Sequence, residues 1–212
     1  MEHLGFLKPL MESGGDWVIY LLVMFSVVAL AVIIERIIVV TRQFKYQEST
    51  LMGLTERLEA GANDTFLKGI RKDSILYRMS AELIAHANNG ALSLERHLDS
   101  RLALERRTLE KRVIILGTLG NNAPFVGLLG TVLGVIRAFK DLGASAGQGP
   151  EVVMQGISQA LVATAVGIFV ALPCVASYNF IKKRIKDTMI DADRFGKQLI
   201  AILEAKHSRE GR

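Results

Sequence analysis

Three long stretches of this chain carry no charged side chain, and nothing else in the sequence restricts its fold as strongly. The first, Trp17–Ile34, holds nothing more polar than Tyr20 and Ser26, and Ile37-Ile38-Val39-Val40 extends it past Glu35-Arg36. Eighteen residues of helix, at about 1.5 Å each, are just long enough for a hydrocarbon core of roughly 30 Å. The second stretch runs uncharged from Val113 to Ile136 and the third from Val152 to Ile181. Both exceed one crossing, and the surplus becomes tilt or helix beyond the bilayer. The chain is 50% hydrophobic, but those residues are gathered in runs rather than scattered along periodic faces as in a soluble domain. The expected fold is an all-α membrane protein with three transmembrane helices. A secretory signal fits the first stretch poorly, because Glu2, Glu12 and Asp16 outnumber Lys8 before it and no cleavage site comes after it.

Orientation comes from the 26 Lys and Arg residues: fourteen lie between Glu35 and Arg112 and nine from Lys182 onward, against Arg137, Lys140 and Lys8 elsewhere. The positive-inside rule puts both basic segments in the cytoplasm and the N-terminus in the periplasm of a bacterial inner membrane. The net charge of +5 is thus mostly topology. Acids interleave with the bases and aromatics make up only 7% of the chain, so no basic, aromatic-studded stripe suits a nucleic acid.

The expected organisation is a periplasmic segment 1–16, a first span 17–40, a cytoplasmic helical region 41–112, a second span 113–139, a periplasmic loop 140–156, a third span 157–181 and a cytoplasmic helix 182–212. Turn signals at Gly61-Ala62-Asn63-Asp64 and Asn88-Asn89-Gly90 divide the cytoplasmic region into helices. Leu94, Leu98 and Leu102 recur at i+4, with Leu109 and Val113 continuing the stripe. No Gly or Pro intervenes before Gly117, so one helix on the order of 70 Å is expected from about Leu92 through the membrane.

Gly117, Gly120, Gly127, Gly130 and Gly134 stud the second span, and Ala160, Ala163, Gly167 and Ala171 the third. Small residues let helix backbones approach in lipid, within a subunit or between subunits. The first span lacks such a run and is expected to face lipid, with the Gly and Ala faces around a central pore. Pro124 and Pro173 each remove a backbone donor and bend their helices. Thr131 lies between Gly127 and Gly134, and Thr164 between Ala160 and Gly167, on the close-packing faces. The ordinary reading of such a hydroxyl is a bond back to its own helix.

No Asp, Glu, Lys, Arg or His occupies the centre of a span, whereas a chain that relays protons by itself usually carries one. If ions move here, the titrating carboxylate comes from another chain. The sole cysteine, Cys174, excludes an intrachain disulfide and reads as a small packing residue. His86 and His97 read as separate cytoplasmic histidines without a ligand cluster, and no cofactor is expected.

Ala123-Pro124-Phe125-Val126-Gly127-Leu128-Leu129-Gly130-Thr131-Val132-Leu133-Gly134-Val135-Ile136, followed by Ala138-Phe139, resembles the APxxGLLGTVxGxIxxF signature of the ExbB/TolQ/MotA proton-channel family. Gly156-Ile157-Ser158-Gln159-Ala160-Leu161-Val162-Ala163-Thr164-Ala165-Val166-Gly167 is similar to its GIxxALxATAxG segment, and Ala171-Leu172-Pro173 and Tyr178-Asn179 match the family's positions C-terminal to that segment. The resemblance implies a homopentamer around a dimer of a single-span ExbD/TolR-like subunit whose membrane Asp carries the proton, with Thr131 and Thr164 beside that Asp in the ion pathway. It implies a motor, not an enzyme, that works on a TonB/TolA-like periplasm-spanning effector. Gln159 stands where the ExbB and TolQ branches usually place a Glu, and an amide cannot titrate. A TolQ-like, gliding or secretion motor and a non-conducting scaffold of the same architecture are the rival readings. Three spans rather than four argue against a flagellar MotA-type subunit.

Overall fold

The computed structural model describes residues 15–59, 67, 70–144 and 151–210, all but the turns and links in helix. The expected turn at Gly61–Asp64, most of the N-terminal segment expected in the periplasm and residues 145–150 of the expected periplasmic loop lie outside the described residues. In chain order the helices are α1 (Asp16–Glu59), α2 (Ile75–Ala85), α3 (Ala91–Glu110), α4 (Val113–Ala144) and α5 (Glu151–Glu210), with a 3-10 turn at Ala87–Asn89 between α2 and α3. No strand occurs among the described residues. Among the described residues three helices are long and apolar enough to cross a membrane: α1, α4 and α5.

The chain divides into two compact units: residues up to Ile34 with Arg112–Asn179, and Glu35–Lys111 with Phe180–Arg212. In the first unit α1 buries Val18, Leu22, Ala29 and Val32 on one stripe. Its N-terminus begins at Asp16, a carboxylate that complements the positive end of the helix dipole. Helices α4 and α5 run antiparallel, since Gly117 meets Tyr178, Gly127 meets Ala163 and Gly156 meets Ala138. Backbone meets backbone at Gly127 and Gly167, where an added Cβ would lie 2.7 Å from the carbonyl oxygens of Ala163 and Ala123 respectively. Only glycine fits that backbone-to-backbone contact.

The second unit is built on the α2–α3 hairpin and the C-terminal half of α5. Ser74 caps α2, its hydroxyl oxygen accepting from the Tyr77 N–H at 3.1 Å, which satisfies one of the free donors of the first turn. Gly90, at φ 77°, leads into α3 with a left-handed value that glycine adopts without strain. Ile75, Leu76, Met79, Leu83, Leu94 and Leu98 are buried together with Ile181, Ile185, Phe195 and Leu199, and Gly196 lets α5 approach Leu98. A bidentate pair joins the hairpin: Arg78 donates to both carboxylate oxygens of Glu105, at 2.7 and 2.5 Å. Arg101 adds a contact to the same carboxylate at 2.9 Å.

The continuous helix expected from Leu92 is interrupted. Helix α3 ends at Glu110 and α4 starts at Val113, with Arg112 between them at φ 65°. A left-handed non-glycine residue costs roughly 1 kcal/mol. The break falls where the chain passes from one unit to the other and lets Leu109 be buried in one core and Val113 and Leu116 in the other. That requirement overrides a local sequence with no helix breaker. By contrast, α5 continues unbroken from the third span to Glu210.

Candidate ion pathway

Helices α4 and α5 set the position of both threonines. Pro124 and Pro173 lie inside these helices and supply no N–H to the carbonyls one turn earlier. Gly127 then brings α4 within contact of the Thr164 Cα, and Thr131 lies one turn further along the same face of α4.

The two hydroxyls differ. Thr131 Oγ1 donates to the Leu128 carbonyl at 2.7 Å, a bond back to its own helix that leaves its lone pairs free to accept. Thr118 and Asn122 likewise donate to Ile114 and Thr118 carbonyls, at 3.0 and 2.8 Å. Thr164 Oγ1 is buried and has no partner, the only such side-chain atom among the described residues of α4 and α5. A buried hydroxyl left unsatisfied costs about 1–3 kcal/mol, and because this chain itself covers the oxygen, a group from outside the subunit reaches it only if α4 and α5 shift there.

Gln159 sits apart from this pair. It is exposed and lines a cavity of about 560 Å³ with Asp16, Arg137, Asp141 and Gln155, which neither threonine lines. Arg137 binds Asp16 at 3.2 Å and approaches Asp141 at 3.8 Å. The start of α1, the end of α4 and the start of α5 therefore meet around a charged cleft, with Gln159 on its wall.

The Gly and Ala faces, expected around a pore, are occupied inside the subunit. Gly130 lies against Ala163 and Val18, Gly134 against Ala160, and Gly127 against Gly167. These small residues therefore serve close packing inside the subunit. Exposed apolar surface is not confined to α1 either: Phe125 on α4 is 69% exposed and Phe169 on α5 77%, beside 76% for Tyr20 on α1. All three helices present large side chains outward, as membrane or subunit contacts require.

The fold also assembles a grouping that the sequence does not announce. Glu82, His86 and His97 each place a ligand-competent atom within 4.8 Å of the other two, although the two histidines read as isolated. The i,i+4 spacing of Glu82 and His86 is visible along α2; the return of His97 on α3 depends on the hairpin.

A sequence model described as the MotA/TolQ/ExbB proton channel family matches residues 58–193. The chain is 29% identical over 201 residues to the Tol-Pal system protein TolQ of Haemophilus influenzae, covering 88% of this chain and 87% of that protein. It is 30% identical over 220 residues to the biopolymer transport protein ExbB of Neisseria meningitidis, covering 95% and 99%. To the ExbB of Aquifex aeolicus it is 37% identical over 111 residues, 48% of this chain and 74% of the relative.

Proposed function

Because this chain belongs to the MotA/TolQ/ExbB proton channel family, we propose that it is the multi-pass channel subunit of an ExbB/ExbD-like motor in a bacterial inner membrane. The motor couples the proton gradient to work on a TonB/TolA-like effector that spans the periplasm. The observation that carries the reading is that the uncharged runs of the second and third spans hold no Asp, Glu, Lys, Arg or His, so a proton carrier in this path comes from another chain. Five copies surround two single-span ExbD/TolR-like helices, and a membrane Asp of that partner carries the proton. Thr131 and Thr164 lie along this path: Thr131 offers its remaining lone pairs, and the covered hydroxyl of Thr164 meets the Asp when α4 and α5 shift apart. Gln159, in the charged cleft, orients water or a partner side chain without carrying the proton itself. The subunit makes and breaks no covalent bond.

Residues 17–40, 113–139 and 157–181 cross the bilayer, with 41–112 and 182–212 in the cytoplasm and the N-terminus outside, as the distribution of Lys and Arg favours. The test is proton flux in vesicles that hold this chain with its partner. Flux that disappears when the partner's membrane Asp is changed to Asn supports the reading. Flux that persists without that carboxylate contradicts it, and no flux from the intact complex leaves the non-conducting scaffold.

A further inference from the structure

The α2–α3 hairpin carries a side-chain grouping for which the channel reading has no use. Glu82 lies in the last turn of α2 and His86, four residues on, is the residue that ends the helix. The 3-10 turn at Ala87–Asn89 and Gly90 reverse the chain and bring His97 of α3 against them. His97 Nδ1 lies 3.4 Å from Glu82 Oε1. Two ligands on a tetrahedral ion with bonds of about 2.0–2.1 Å are separated by roughly 3.3–3.4 Å, so this spacing already suits a shared cation.

The tautomer of His86 is set by a backbone group. Its Nδ1 lies 2.9 Å from the backbone carbonyl of Glu82, and only a protonated nitrogen can donate to a carbonyl. In the neutral ring Nε2 therefore keeps its lone pair, the arrangement by which carbonyl partners hold metal-binding histidines in one tautomer. The two imidazoles stack with centroids 4.0 Å apart, and closing both on one ion takes a rotation out of that stack. The side chains of His97 and Glu82 are 31% and 35% exposed, which leaves room for the rotation and a route for the ion.

We propose that Glu82, His86 and His97 form a binding site for a divalent transition-metal ion of the Zn²⁺ class, with water in the remaining position. Two imidazoles and one carboxylate suit such an ion; Ca²⁺ and Mg²⁺ favour all-oxygen sites. Bound there, the ion crosslinks the hairpin beside its turn and stabilises it against unfolding.

The test uses the full chain, free of any histidine tag, purified in detergent and stripped with a chelator. Zn²⁺ binding is measured by equilibrium dialysis and Co²⁺ binding by visible absorption. Wild type is expected to bind about one ion per chain and to unfold at a higher temperature with the ion present. His86→Gln and His97→Gln should each weaken binding by about tenfold or more and abolish the thermal shift. His207→Gln, outside the cluster, should change neither. Circular dichroism checks each fold, and Glu82→Gln carries the same comparison should His97→Gln fail to fold. No stoichiometric binding by wild type, or undiminished binding in the correctly folded His86 and His97 variants, overturns the proposal.

Discussion

At Thr164 and Thr131 the same side chain meets two fates. The Thr131 hydroxyl is satisfied by its own helix, whereas that of Thr164 is buried without a partner. Thr164→Val should therefore leave the isolated subunit as stable as wild type or more so by about 1 kcal/mol, because it removes an unsatisfied hydroxyl; thermal unfolding of the detergent-solubilised subunit checks this. In the second unit the sign reverses. Glu105 is only 5% exposed and binds Arg78 bidentately, which raises the Arg78 pKa further. Glu105→Gln should lower stability by about 2 kcal/mol, less than the roughly 3–5 typical of a fully buried pair because both arginines keep some water. Glu110 supplies a pH dependence. Burial pushes its carboxyl up, but hydrogen bonds from Arg106 and Lys182 outweigh that and hold it below the usual carboxylate range. A lowered folded-state pKa contributes stability above the ordinary value, and that contribution is lost as pH falls through the folded one. The advantage of wild type over Glu110→Gln in thermal unfolding should be full near about pH 6 and shrink steadily below about pH 4. Motif spacing singles out both threonines, but their unequal burial depends on how α4 meets α5, which no local pattern encodes.

Among the elements, the α4–α5 contact is the most demanding. Gly127→Ala places a methyl 2.7 Å from a backbone oxygen, and the helices must separate; overpacking of this kind typically costs about 1–3 kcal/mol. Gly127→Leu should go further and disrupt the complex, which native mass spectrometry would register as a loss of the assembled species. An unchanged assembly would show that this contact does not shape the subunit. The spans are legible in the sequence because an uncharged run of about eighteen residues or more has few alternatives to a membrane helix. The break at Lys111–Arg112 is not, since neither Gly nor Pro marks it and it answers to two cores rather than to local propensity. The Glu82–His86–His97 cluster is half legible for a related reason: helix spacing gives one pair, and only the closed hairpin gives the third member.

For the whole molecule, the proposed assembly gives the outward apolar surface of α1, α4 and α5 to lipid and neighbouring subunits, and takes the missing charge from a partner. In the proposed topology a cysteine at the exposed Asn89 reacts with a membrane-impermeant reagent only after the cells are opened. The whole mechanism rests on a hydroxyl of this chain and a carboxylate of another forming one proton path. Proton flux through vesicles holding the co-expressed complex, compared among wild type, Thr164→Val and Thr164→Ser, puts that path to the test. The valine variant is expected to assemble normally but lose at least about tenfold in flux, a barrier increase near 1.4 kcal/mol, while serine, which keeps the hydroxyl, restores most of it. An assembled valine variant that conducts like wild type would remove Thr164 from the path and refute the shared mechanism.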